Sequence, residues 1–402
     1  MRRPRSRNTP LALLALLSVS AAVLAGAADA AASGGTVKLP VMPSRLSAGT
    51  ACTGRSAQVV SAMPWEQQNL QLTRTWQFGS GAGVTVAVVD TGVSLKAPAL
   101  AGRVTAVGAA GEDCVGHGTF VAGLIAAAPA QGVRFAGVAR QARILAVRGT
   151  DTRGTATDAT VAHGIRAAVD AGAAVIEVSP ALTRDSAGLR SAVSYAVGHD
   201  ALIVAAAVPD APGDATSSAP PAGDYWPAAD SRVLSVVDVD VDGERQEGAY
   251  RPRSADLAAP GDGVIGTGPE GKGHFIGSGA SFAAAYAAGA AALVRSAHPG
   301  LTAAQTGRWL TTTAYPADVP RLDPYAALTS VTGAPAGPVA PEHGSAPVRL
   351  ARDEAGARAT RRALLLAGTG GGVVLAVVWA AAIVPRGRAR GWRPPRGGAP
   401  AD

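Results

Sequence analysis

The sequence predicts an α/β domain on a mainly parallel sheet, followed by one C-terminal transmembrane helix. Three observations carry that expectation. Short apolar runs alternate with helical stretches from Val84 to about Ala327, the pattern of βαβ units joined by crossover helices. A composition of 48% hydrophobic and 16% charged residues over 402 positions provides one large core and excludes a disordered or fibrous chain. A later uncharged stretch, residues 363–384, is long enough to cross a bilayer.

In chain order, residues 1–30 combine Arg2, Arg3, Arg5 and Arg7 with an apolar run and small residues around Asp29, as a secretory signal requires. Removal is expected near Ala30, an uncleaved anchor being the alternative. Residues 31–79 form an N-terminal extension with Cys52, Trp65 and Trp76, expected to pack on the domain or guard its cleft. Strands are expected at 84–89, 144–147, 173–178 and 202–207, whose near-continuous apolar character suits a sheet covered on both faces. Helices are expected at 120–128, 158–171 and 187–197, and functional groups at the carboxyl ends of the strands. The domain is placed at 80–330, and the Pro- and Gly-rich segment 331–362 reads as a stalk. The 363–384 helix, about 33 Å long at 1.5 Å per residue, spans a hydrocarbon core of about 30 Å. Gly368 and Gly372 within it make a weak small-xxx-small signal for a partner helix. With the signal translocated, the domain lies outside the cell membrane and the basic tail 385–402 in the cytoplasm. Cys52 and Cys114, the only cysteines, are expected to pair in that oxidising setting, two free thiols being the alternative.

The formal charge is +7, from 36 basic and 29 acidic residues. Nine arginines sit at the two ends, and without them and the end residues Asp29 and Asp402 the body carries 27 of each sign. A neutral body argues against a nucleic-acid partner. No metal-ligand cluster of specific spacing is visible, and the chemistry calls for no cofactor.

Three segments carry that chemistry. Asp90 is the first charged residue after the buried strand Val84-Thr-Val-Ala-Val-Val, where a carboxylate orients a histidine, ends a turn or binds a metal. His117 lies in Gly116-His-Gly118-Thr119 before an apolar helix, the place for a general base or a structural histidine. The other five histidines lack such a setting and read as surface or packing residues. Ser281 opens a helix apolar on every side, either as an N-cap or as a nucleophile beside unpaired N–H groups. Ordered Asp, His and Ser in such settings match a Ser-His-Asp triad in Asp-first order.

At these residues the chain resembles the subtilisin-like (S8-type) serine proteases. The resemblance rests on Val88-Val-Asp90-Thr-Gly-Val93, Gly116-His-Gly-Thr-Phe-Val-Ala-Gly123 and Gly279-Ala-Ser281-Phe-Ala, and continues through Ile144-Leu-Ala-Val-Arg148, Ala174-Val-Ile-Glu-Val-Ser179, Val204-Ala-Ala-Ala207 and Leu257-Ala-Ala-Pro-Gly261. It covers roughly residues 65–328 and implies a subtilisin-like three-layer fold. The signal, the extension, a Cys three residues before His117, the stalk, the membrane helix and the basic tail are similar to the mycosins, membrane-anchored proteases of type VII secretion systems. That resemblance implies a protein or peptide substrate and membrane-embedded secretion components as partners. It also implies that Ser281 attacks a peptide carbonyl, His117 takes and returns the proton, Asp90 fixes the imidazole, and the Ser281 N–H donates to the oxyanion.

Four departures from the family pattern surround the same cleft. Where the family usually carries Gly-Asn, its Asn donating to the oxyanion, this chain has Val208-Pro209-Asp210. Pro209 has neither side-chain donor nor N–H, and Asp210 brings the wrong charge; loss of such a donor costs about 10²- to 10³-fold in turnover where measured in a subtilisin. Ser217 or Ser218 is an open substitute. Ala280 replaces the usual Thr, Ala285 the usual Pro, and Ser179-Pro180-Ala181 the usual Ser-Leu-Gly of the substrate-binding edge, where Pro180 removes an N–H. Two functions follow from these residues: a membrane-anchored endopeptidase, or a catalytically impaired subunit of a secretion complex.

Overall fold

A computed structural model describes residues 38–210, 222–246, 248–331 and 354–391. The expected signal segment, Ser217, Ser218, most of the stalk and the end of the basic tail lie outside them.

The sheet has seven parallel strands in the order β2-β3-β1-β4-β5-β6-β7. They are β1 (Thr85–Asp90), β2 (Val104–Ala106), β3 (Arg143–Arg148), β4 (Val175–Val178), β5 (Leu202–Ala206), β6 (Leu234–Val239) and β7 (Leu257–Pro260). Successive side chains point to opposite faces, so each apolar strand feeds two cores. Val86 and Val88 of β1, Ile144 of β3 and Val204 of β5 share one core with helices α1 (His117–Ala126) and α4 (Ala280–Ala297). Ala87, Val89, Leu145 and Ile203 share the other with α2 (Asp158–Asp170) and α3 (Ala187–Gly198). These helix, sheet and helix layers make the three-layer subtilisin-like fold. Four sheet strands match the expected positions. Strands β2, β6 and β7 had no separate strand signal: β2 is three residues long, and β6 carries Ser235 and Asp238 in a run that does not read as purely apolar.

Helix α1 begins at His117, three residues before the expected start. Its N-cap, Gly116, has φ 91°, a left-handed conformation that glycine adopts without a Cβ penalty. Helix α4 is buried from Ala280 through Val294, which its alanines permit by keeping the helix thin between the sheet and its neighbours.

An antiparallel hairpin, β8 (Val264–Thr267) with β9 (His274–Gly277), lies outside the main sheet. The described part of the N-terminal extension packs on the domain here. Val41 bridges to Ile276, the Thr53 N–H donates to the Cys114 carbonyl at 2.9 Å, and Cys52 is disulfide-bonded to Cys114. The short helix Trp65–Asn69 then pins the chain to β8. The Trp65 indole donates to the Gly263 carbonyl at 3.1 Å, and the Ile265 amide donates to Oε1 of the fully buried Glu66 at 2.9 Å. His274, expected to be a surface or packing residue, is buried and its Nδ1 accepts from the Val60 amide.

The residues after Val331 form a separate unit. Its helix α5 (Glu354–Ala389) starts nine residues before the expected span, because Ala and Arg, both good helix formers, fill much of the segment read as stalk. Within it, Arg361–Ala389 is long and apolar enough to cross a membrane.

Burial pushes the Glu66 carboxyl from its ordinary 4.5 up to about 7, against the opposing pull of the Ile265 amide. A raised native pKa means the folded state holds a proton that the unfolded chain releases. The associated stability is therefore complete below pH 4.5 and lost as pH rises through about 7, and such a shift is worth about 3 kcal/mol. Urea unfolding over pH 4–8 is expected to show this decline in the parent protein and a flatter profile in Glu66→Gln. Identical pH profiles would exclude Glu66 as the group responsible.

Candidate active site

The sheet reverses direction of growth at β1, which lies between β3 and β4, and clefts form outside strand ends at such a point. Asp90 is the last residue of β1 and only 1% exposed. The turn after it is tied to the start of α1 by another buried carboxylate. Asp113 accepts from the Thr91 hydroxyl at 2.8 Å, the Gly116 amide at 2.8 Å and the Thr119 amide at 2.9 Å, so it satisfies donors the helix leaves unpaired. The glycine after His117 has a steric cause. A Cβ on Gly118 would lie 2.1 Å from the Gly92 carbonyl and 3.0 Å from the Asp90 Cβ.

That approach places the imidazole on the carboxylate. His117 Nδ1 is 2.8 Å from Asp90 Oδ2, and His117 Nε2 is 3.1 Å from Ser281 Oγ at the amino end of α4. The rings of Phe282 and Phe120 pack behind, with the His117 and Phe282 centroids 5.0 Å apart. The three sequence-predicted residues thus form a continuous chain, all buried.

A fourth residue reaches the same atoms. Pro209 contributes no polar atom to Ser281, whereas the next residue, Asp210, does. Its Oδ2 accepts from Ser281 Oγ at 2.7 Å and lies 3.0 Å from His117 Nε2, and its Oδ1 accepts from the Ser281 amide at 3.1 Å. Next to Pro209, the Asp210 carboxylate is therefore the group that meets the Ser281 amide.

Two further carboxylates stand nearby. Glu177 lies inside β4, with Oε1 accepting from the Ser179 hydroxyl at 2.9 Å and Oε2 without a partner. Burial, reinforced by the charge of Asp90, raises its pKa well above the ordinary carboxylate range. Ser179 thus uses its hydroxyl within the site, while Pro180 is half-buried beside it. Asp238 of β6 faces Arg245 at 3.2 Å, and burial raises its pKa against the pull of that arginine. A Glu in an otherwise apolar strand was the signal that could have exposed Glu177. For Asp210 the signal was its position beside the missing Asn.

Burial favours neutral Asp90, but the positive His117 and hydrogen bonds from His117 and Thr91 outweigh it and lower the pKa. Burial likewise opposes charge on His117. The charge of Asp90 and the contact with Asp210 outweigh it, and the imidazole pKa lies well above 6.5.

A strand-end Asp, a helix-start His and a helix-start Ser, joined in that order across an α/β sheet, define the class of serine hydrolases with a subtilisin-type arrangement. The chain belongs to the subtilase family of peptidases, whose model matches residues 81–345. It is 35% identical over 246 residues to thermitase of Thermoactinomyces vulgaris, covering 59% of this chain and 83% of that one. It is 33% identical over 308 residues to mycosin-4 of Mycobacterium tuberculosis, covering 66% and 67%. Among solved structures it is similar to a serine protease, MycP1, described as an essential component of the type VII (ESX-1) secretion system. That match has a TM-score of 0.61 and 29% identity, covering 73% of this chain and 97% of that one.

The raised pKa of His117 has a measurable consequence. Stability linked to it is complete below pH 6.5 and lost as pH rises through the native value. An NMR titration of the imidazole is expected to place its midpoint well above 6.5 and to shift it downward in Asp90→Asn. A midpoint at or below 6.5 in the parent protein would contradict the paired arrangement.

Proposed function

We propose that this protein is a membrane-anchored, extracytoplasmic serine endopeptidase of mycosin type, acting on proteins or peptides in association with membrane-embedded type VII secretion components. The observation that carries the peptidase reading is the unbroken Asp90–His117–Ser281 chain, at 2.8 and 3.1 Å. In this reading Ser281 Oγ attacks the peptide carbonyl and forms a tetrahedral intermediate. His117 Nε2 takes the hydroxyl proton and delivers it to the leaving amine, while Asp90 holds Nδ1 and stabilises the imidazolium. The second half-reaction repeats the exchange with water. The Ser281 amide, at the amino end of α4, is the oxyanion donor.

Anchoring is supported by the Arg361–Ala389 helix and by the signal-like sequence of residues 1–30. The organisation we infer is a signal segment (1–30), an extension (31–79), a catalytic domain (80–330), a stalk (331–362), a membrane helix (363–384) and a cytoplasmic tail (385–402). Similarity to mycosin-4 and MycP1 supports the secretion partner.

A second reading, a catalytically impaired structural subunit of the same membrane complex, is favoured by one observation: the Asp210 carboxylate already occupies the Ser281 amide. Full-length protein extracted in mild detergent separates the two. The endopeptidase reading expects slow cleavage of an unfolded polypeptide such as casein by the parent protein, abolished in Ser281→Ala. Measurable cleavage at the same rate by both proteins would exclude Ser281 as nucleophile. Co-purification with membrane partners that survives Ser281→Ala, with no cleavage by either protein, is the outcome the structural reading expects.

A further inference from the structure

We propose that Asp210 is an internal inhibitor of the active site: its carboxylate occupies the position of the substrate oxyanion, and turnover begins only when it withdraws. This inference rests on the peptidase reading above. One carboxylate takes three groups that catalysis needs. Oδ2 accepts a hydrogen bond from the Ser281 hydroxyl at 2.7 Å, engaging the proton that the attack must transfer to His117. The same oxygen lies 3.0 Å from His117 Nε2 and pairs with the imidazolium, a form unable to act as base. Oδ1 takes the Ser281 amide at 3.1 Å, the donor for the developing oxyanion.

The seat is shaped for this side chain. Asp210 is 9% exposed at its side chain and rests against Gly279, the residue before the helix. A Cβ on Gly279 would lie 2.1 Å from Asp210 Oδ1, so any larger residue there would exclude the carboxylate. The charged and titratable groups around it are His117 and Ser281 in direct contact, with Asp90, Glu177 and Asp238 further off, the last paired with Arg245. His117 is the cation among these that touches Asp210, and Ser281 supplies the other two hydrogen bonds. The carboxylate is thus held by the residues it disables.

Occupancy and catalysis exclude each other by charge as well as by space. A tetrahedral oxyanion and the Asp210 carboxylate are both negative and compete for one N–H, and in a water-poor site their repulsion is weakly screened. Asparagine has the same shape without the charge, so the imidazolium no longer holds it in the site, and once withdrawn it offers an N–H to the oxyanion. Alanine removes the carboxylate and offers nothing.

The test uses full-length protein in detergent and a fluorophosphonate probe, whose phosphorus is attacked by the serine oxygen with loss of fluoride. Intact mass gives the labelling rate. Asp210→Asn is expected to label at least about 10²-fold faster than the parent protein at neutral pH, the scale of one oxyanion donor. Asp210→Ala is expected to be intermediate, and Ser281→Ala unlabelled. Labelling of both Asp210 variants at or below the parent rate, with unchanged circular dichroism, would overturn the proposal. A second measurement needs no folded variant: in the parent protein at pH 7.5 the His117 imidazole should show two protons, on Nδ1 and Nε2, by NMR. A neutral imidazole there would also overturn it. Casein cleavage by Asp210→Asn is read separately. Rapid labelling without cleavage keeps the inhibitor and sinks the endopeptidase reading.

Discussion

The site is governed by the pairing of one imidazole with carboxylates in a place from which water is excluded. His117 and Asp90 are both almost fully buried, so each ionised group depends on the other for its charge. That dependence explains the opposite pKa shifts of the pair and why the surrounding backbone is so closely fitted. Asp113 fixes the turn to the helix, Gly118 lets the helix approach the strand, and the Phe282 ring packs against the imidazole. A third carboxylate brought to the other ring nitrogen changes the balance. The imidazole becomes a cation between two anions, and the proton it should be ready to accept is already there.

Much of the architecture was legible in the sequence because the sheet is covered on both faces. Strands β1, β3, β4 and β5 read as apolar runs, and helices α2 and α3 had bounds within a residue of those observed. Such runs leave their first charged residue at the cleft, which is why Asp90 stood out. Elements that escaped were charged within the strand, very short, or dependent on distant partners. β6 carries Asp238 toward the site, β2 is too short for a period to register, and the hairpin β8/β9 depends on the N-terminal extension for its partners.

Within the site, residue type and neighbours identified His117 and Ser281, because glycines beside a functional group mark close backbone approach. Asp210 was visible only as a charge in the wrong place. Its reach to Ser281 depends on the backbone after β5 and on the open side of Gly279, both set by long-range packing. Glu177 illustrates the same limit. Its pKa is raised by burial and by Asp90, neither of which belongs to its own strand segment.

The departures around the cleft then take on a different sense. Absence of the oxyanion asparagine, read from sequence, is a simple loss: one donor fewer and a slower reaction. The structure places an acceptor beside Pro209, and that acceptor touches the Ser281 hydroxyl, the Ser281 amide and the His117 ring together. Loss of Ser281 or His117 would end the chemistry permanently, whereas a carboxylate held by three hydrogen bonds leaves the triad assembled beneath it. Hydrogen bonds to charged groups are worth about 1.5–3 kcal/mol each, a scale that substrate binding or a partner protein can overcome. An intact triad with Asp210 lodged in it is in this reading a site closed at rest, and because that closed state can be left, retention of the catalytic geometry has a physical reason.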